Sequence, residues 1–165
     1  MEYRVDEDTV VRFARESETT IILGFIKDLA RYEGMLDKVT ATEQMLRKSI
    51  FVEKKAEVLF CVYRNEPVGF ALFFSNYSTF LGKAGIYLED LFVVPEMRGK
   101  GFGKSLLAVL GKLAIERDCS RLEWWCLDWN RKSIDFYLKM GAIPLSEWTV
   151  YRVTGDNLQK LSERA

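Results

Sequence analysis

Seven consecutive residues, Arg98-Gly99-Lys100-Gly101-Phe102-Gly103-Lys104, have the composition of an anion cradle. Three glycines at alternate positions let the backbone turn tightly and aim several N–H groups at one point. An apolar run, Leu91-Phe92-Val93-Val94, precedes them, and a helix-patterned segment follows. The positive end of that helix faces the same spot. Arg98 and Lys104 add fixed positive charge. The chemistry this suits is the binding of a phosphate or pyrophosphate.

Three ligand readings compete for this loop. Gly103-Lys104-Ser105 matches the end of the nucleotide phosphate loop G-x-x-x-x-G-K-[ST], but Arg98 stands where the first glycine belongs. The dinucleotide fingerprint G-x-G-x-x-G fails because the glycines fall at 99, 101 and 103. Arg98, Gly101 and Gly103 fit Arg-x-x-Gly-x-Gly, which resembles the pyrophosphate loop of the GNAT acetyltransferases. A glycine-rich turn that binds nothing is the plain alternative.

The elements that must position this loop follow from periodicity. Val10 to Ala14 predicts a first strand, with residues 1–9 an added strand or an arm. Ile21, Ile22, Phe25, Ile26 and Leu29 recur at helical spacing and predict a helix ending near Tyr32, before Gly34. Thr40 and Glu43 have capping-box spacing and introduce a second helix to about Phe51. Strands at 57–63 and 68–74 flank a turn at Arg64–Pro67 and make a hairpin. A polar loop spans 76–83, and a strand spans 86–94 and stops at Pro95. Leu106, Leu107, Leu110, Leu113 and Ala114 mark a third helix. A strand at 122–127 comes next. A fourth helix is capped by Asn130 and closed by Gly141. A strand at 150–153 and a short helix from Asp156 complete the chain. This order predicts a single α/β domain over 1–165, a central mixed β-sheet flanked by helices.

Composition narrows the function. The 165 residues suffice for one domain with a core, and 48% hydrophobic with 29% charged is globular. Lys+Arg 24 against Asp+Glu 24 gives no basic excess for a nucleic-acid partner. No apolar run approaches membrane-spanning length, and the first eight residues lack the apolar core of a secretory signal. The expected location is therefore cytoplasmic, with no membrane partner. The chain has no histidine, which removes His bases, Ser–His and Cys–His pairs, and His metal ligands. Cys61, Cys119 and Cys126 are odd in number and lack C-x-x-C spacing, so they read as reduced thiols and not as a metal site.

Longer motifs name a family. Tyr77 through Val93, which contains Leu88-Glu89-Asp90, resembles the diamine acetyltransferases (spermidine/spermine N1-acetyltransferases). So do Ile26 through Glu33, and Leu127-Asp128-Trp129-Asn130 with Ser133, Phe136, Tyr137 and Gly141-Ala142. The resemblance implies the GNAT fold, acetyl-CoA as cosubstrate, no metal and a homodimer. It implies that Leu91, Phe92 and Val93 pair with the pantetheine arm and that Arg98 to Lys104 hold the pyrophosphate. Asn130 and Ser133 are implied as further coenzyme contacts. Tyr137 matches the family's general acid and Glu89 its amine-side carboxylate. Tyr32, Glu33, Glu123, Trp124 and Trp125 match acceptor-pocket positions. One departure stands out: the family's polyamine-gripping acidic position falls on Thr149, with Glu147 displaced.

The chemistry agrees with those assignments. An alkylamine, whose reference pKa is near ~10.4, must lose a proton before it attacks a thioester, and a carboxylate can take it. A backbone N–H of the 91–93 strand can face the oxyanion. A phenol near ~10 can protonate a thiolate whose thiol is near ~8.5. Spacing alone reads Tyr137 as a core aromatic beside Phe136, and Glu89 as a solvent-facing edge residue; Trp124, Trp125, Trp129 and Trp148 also suit a core or dimer role. The expectation is an acetyl-CoA-dependent N-acetyltransferase acting by direct transfer on a small cationic amine, a diamine, polyamine or lysine analogue such as thialysine. Acetylation of protein N-termini or lysines, and a silent acyl-CoA-binding regulator, are the alternatives.

Overall fold

Val58 to Val62 are five successive buried residues, so both faces of their strand are covered. That strand is third in a six-stranded sheet whose order follows the chain. The computed structural model describes residues 1–165. It divides into two compact units, Met1–Trp125 and Cys126–Ala165.

In the first unit, β1 (Glu2–Arg4) pairs with β2 (Thr9–Phe13), so the N-terminal arm is an added strand. β3 (Glu57–Tyr63) and β4 (Glu66–Ser78) turn at Arg64 and Asn65, both at positive φ as a tight hairpin needs. β4 and β5 (Lys83–Val93) pair as far as Ser78 and Lys83, leaving only a short connection where the sequence suggests a loop over 76–83. All these pairs are antiparallel; β6 (Leu122–Trp124) joins β5 in parallel. The sheet is thus mixed, as expected. The strand expected over 122–127 stops at Trp124.

Helices cover both faces. α1 (Thr19–Tyr32) buries Ile22 and Phe25 against Val58, Phe60, Phe70 and Phe92. Phe25 stacks on Phe70 at 5.3 Å and meets Phe60 edge-on at 5.7 Å. Arg12 on β2 donates to both oxygens of Glu18, at 2.8 and 2.6 Å, and ties the sheet to the approach to α1. This guanidinium also holds the Glu18 carboxyl below the ordinary carboxylate range. α2 (Glu43–Leu46) is capped by Thr42, whose hydroxyl accepts from Met45 N at 3.2 Å, so the capping residue lies two positions after Thr40. The chain then widens into a π-helical turn over Arg47–Val52. On the other face, α3 (Phe102–Glu116) buries Leu106, Leu107, Leu110 and Leu113 and packs on β3, β4 and β5. Cys61 is fully buried, and that burial pushes its thiol up to about 12, which leaves it inert as a nucleophile.

The second unit holds α4 (Arg131–Lys139) and α5 (Asp156–Ser162). Asn130 Oδ1 accepts from Ser133 N at 3.3 Å, and Gly141, at φ +86°, stands just past the helix end. No strand forms at 150–153. Val150, Tyr151 and Val153 are exposed, and a β-branched run makes a strand only where another edge pairs with it.

Candidate active site

The glycine loop has the conformation its sequence suggests. Gly99 and Gly101 stand at φ +78° and +93°, a region that glycine alone enters cheaply. A Cβ at either position would meet no protein atom within 4 Å, so space beside the backbone is open. Gly101 is the N-cap of α3, and no side chain caps that helix. The first-turn N–H groups therefore face solvent or an anion. Lys100 and Lys104 are exposed beside them. These features fit a diphosphate.

β5 feeds this loop with an open edge. Its pairing with β6 ends at Leu88, opposite Trp124, yet β5 runs on to Val93. Residues 91–93 pair on one side only, with Ala71, Phe70 and Gly69. Gly69 permits that approach, since a Cβ there would fall 2.6 Å from the Phe92 carbonyl oxygen. On the other side, this stretch of β5 offers backbone donors and acceptors that no strand uses. An amide-bearing chain such as pantetheine can take them.

A β-bulge builds the acidic part of the site. Leu72 pairs with Asp90, but Phe73 pairs with Leu88, so Glu89 is an extra residue in β5. In an unbulged strand Leu88 and Asp90, two positions apart, would share a face; the bulge separates them. With it, Leu88 stays buried on the α3 side, whereas Asp90 joins Leu72, Phe70 and Phe92 on the α1 side. The last residues of α1 stand over that face. Met35 N donates to Ala30 O at 2.7 Å and Gly34 N to Arg31 O at 3.2 Å, which closes the helix and fixes Tyr32 and Glu33. The Asp90 carboxyl is raised from 3.8 to about 7, chiefly by burial and then by the neighbouring charges of Glu89 and Glu33. Burial also raises Glu33. Asp90 had no role in the sequence reading, because Leu-Glu-Asp shows two acids in an apolar strand but not the register shift that turns the second one inward.

Arg98 departs from a simple phosphate ligand. Its guanidinium lies over the Tyr32 ring at 4.7 Å and the Phe92 ring at 5.2 Å, and its Nε donates to Val93 O at 2.8 Å. Glu123 on β6 accepts from Asn76 Nδ2 at 2.7 Å and lies 2.9 Å from Arg121 Nε. Trp124 is half-buried, and Trp125 is exposed, edge-on to Tyr87 at 5.7 Å. The structure therefore gathers Tyr32, Glu33, Glu89 and Arg98 around the end of β5, together with Asp90, while Glu123 belongs to an ion-paired group near the start of that strand.

In the second unit, Asn130 is buried and caps α4, Ser133 supplies the capped N–H, and Tyr137 lies one turn further on. Tyr137 is half-buried, with the Phe136 ring at 5.3 Å. Thr149 is exposed in the irregular segment.

Residues 23–142 match the acetyltransferase (GNAT) family. The chain belongs to that family. Membership makes it an N-acetyltransferase, and its relatives agree. It is 35% identical to thialysine N-epsilon-acetyltransferase of Bos taurus, over 93% of this chain and 96% of the relative. A shorter stretch, 58% of this chain and 42% of the relative, is 47% identical to L-ornithine N5-acetyltransferase of Arabidopsis thaliana. Among solved structures, an integron cassette protein from the mobile metagenome of V. cholerae superposes with a TM-score of 0.80 at 28% identity, covering 96% of this chain and 99% of that one.

Proposed function

We propose that this enzyme transfers an acetyl group directly from acetyl-CoA to a primary amine of a small cationic acceptor. The observation that carries the reading is the open edge of β5 beyond Leu88 running straight into an uncapped glycine loop. Leu91, Phe92 and Val93 would hold the pantetheine arm by their backbone, the amides of Gly99 to Lys104 the pyrophosphate, and Asn130 and Ser133 further parts of the coenzyme. Acetyl-CoA supplies the activated thioester.

Around the acceptor, Glu33, Glu89 and Asp90 make a surface that favours a cation. Glu89, exposed on the bulge, takes the proton that the ammonium must lose before attack. Tyr137 Oη returns a proton to the departing thiolate. Support for a diamino acceptor comes from the thialysine and ornithine relatives. Thr149 in place of an acid leaves a long polyamine without a distal grip. The enzyme is read as a cytoplasmic homodimer, supported by the exposed Trp148, Val150 and Tyr151; sedimentation measures that state. A thiol-release assay with acetyl-CoA and thialysine, lysine, ornithine, spermidine and spermine tests the activity. Fast turnover of the short diamino acceptors is expected, and turnover of none of the amines would refute it.

A further inference from the structure

Arg98 occupies the position that the loop motif reserves for a coenzyme contact, yet its side chain turns the other way. It reaches back along the end of β5 and covers two rings from different elements. Phe92 belongs to β5, and Tyr32 is the last residue of α1. Its Nε is anchored on Val93 O at 2.8 Å. The fork is therefore fixed to the strand at one end and lies over the last ring of the helix at the other. Glu33 follows Tyr32 directly, and its charge reaches Asp90.

We infer that Arg98 is a positioning residue for the acceptor side: it fastens the end of α1 to β5 and so holds Tyr32 and Glu33 over the bulge that carries Glu89 and Asp90. The planar fork suits this task, since it stacks on a ring while its Nε still donates to a carbonyl. A lysine ammonium at the same place has no plane to stack and no Nε. Phosphate binding is left to the backbone amides after Arg98, which need no side chain. The inference rests on the proposed amine acetylation for its kinetic part, but its structural part is independent of activity.

The experiment compares Arg98→Ala, Arg98→Lys, Tyr32→Ala and the double variant Arg98→Ala/Tyr32→Ala. Kinetics use thialysine as the amine, calorimetry uses acetyl-CoA, and hydrogen exchange follows residues 30–35. Arg98→Ala is expected to raise the amine KM by about three- to tenfold, the scale of one exposed cation–π contact with its anchoring hydrogen bond. The acetyl-CoA Kd should stay within about twofold. Arg98→Lys should not rescue the amine KM. Tyr32→Ala should resemble Arg98→Ala, and the double variant should be little worse than either, because both remove one contact. Amides 30–35 should exchange faster in Arg98→Ala. A loosened acetyl-CoA Kd with an unchanged amine KM would overturn the inference and make Arg98 a phosphate ligand. Unchanged exchange at 30–35 would overturn it too. Should the unmodified chain acetylate no amine, the proposed function fails, and the exchange result still decides the fastening role.

Discussion

The two halves of the candidate site are built from different material. The proposed coenzyme side is backbone: a strand edge that no other strand takes, two glycines at positive φ and the first turn of a helix without a side-chain cap. The proposed acceptor side is side chain: Glu33, Glu89 and Asp90, set by a helix closure and a bulge. Backbone donors hold any diphosphate of suitable shape and tolerate changes in neighbouring side chains. Carboxylates hold charge, respond to pH and can be altered one at a time. A family that keeps one acyl carrier while varying its amines gains from that division.

The largest expected effect belongs to the proposed proton donor rather than to either set of binding groups. Tyr137→Phe keeps the ring and removes one proton donor, so kcat should fall by ~10²–10⁴-fold. Calorimetry with acetyl-CoA should show unchanged affinity; a matching loss of affinity would place Tyr137 in binding. Next comes the backbone side. Gly101→Val forces a β-branched residue to φ +93° beside open space. Left-handed backbone costs about 1–2 kcal/mol outside glycine, so acetyl-CoA should bind about five- to thirtyfold more weakly. The amine KM at saturating acetyl-CoA should hold. A change in the amine KM alone would break the division.

The acceptor side should answer to pH instead. The folded Asp90 carboxyl sits near 7, above its ordinary 3.8. A raised acid favours folding while protonated. Its contribution is complete below the unfolded value and is lost as pH climbs from about 4 through about 7. Asp90→Asn should therefore raise Tm at pH 8 by on the order of a few degrees, do less at pH 5, and flatten the Tm–pH curve. A cationic acceptor should favour the ionised form, so calorimetry in buffers of different ionisation heat should detect proton release near pH 7 in the unmodified enzyme and less in Asp90→Asn. The smallest effect is expected from Lys104→Ala. This exposed charge adds only screened attraction, so acetyl-CoA affinity should fall about two- to fivefold at low salt and less in 0.5 M salt. A loss as large as that of Gly101→Val would mean that side chains, not amides, make the cradle.

The same division explains what could be read from the chain. The turn of the loop was legible because its backbone angles at 99 and 101 demand glycine, and glycine is visible as letters. The α4 cap was legible for the same kind of reason: Asn130 and Gly141 are local signals for local geometry. Asp90 was not, since its direction depends on which residue of β4 it faces, a long-range fact. Arg98 was read by its motif position, and its place over two rings, one of them on α1, is a long-range fact that the motif does not show. The strand at 150–153 was read from β-branched residues whose pairing depends on an edge that the local sequence does not encode. Thr42 displaced Thr40 as a cap because the helix starts at Glu43, where the Thr42 hydroxyl meets Met45 N.

The extra residue in β5 also shapes how this protein can change. Ile86 and Leu88 serve one layer of the core, while Phe92 serves the other. Losing the Glu89 codon would make Leu88 and Asp90 consecutive, and consecutive strand residues already face opposite ways, so Asp90 would keep Leu72 as its partner and Phe92 would keep Phe70. Point changes at position 89 and its loss both spare the core; an insertion or deletion elsewhere in β5 would turn half of the strand over. Position 89 is thus the one place in this strand where descendants of this gene can change length as well as letter, and the rim of the site can be reshaped there without repacking what lies beneath it.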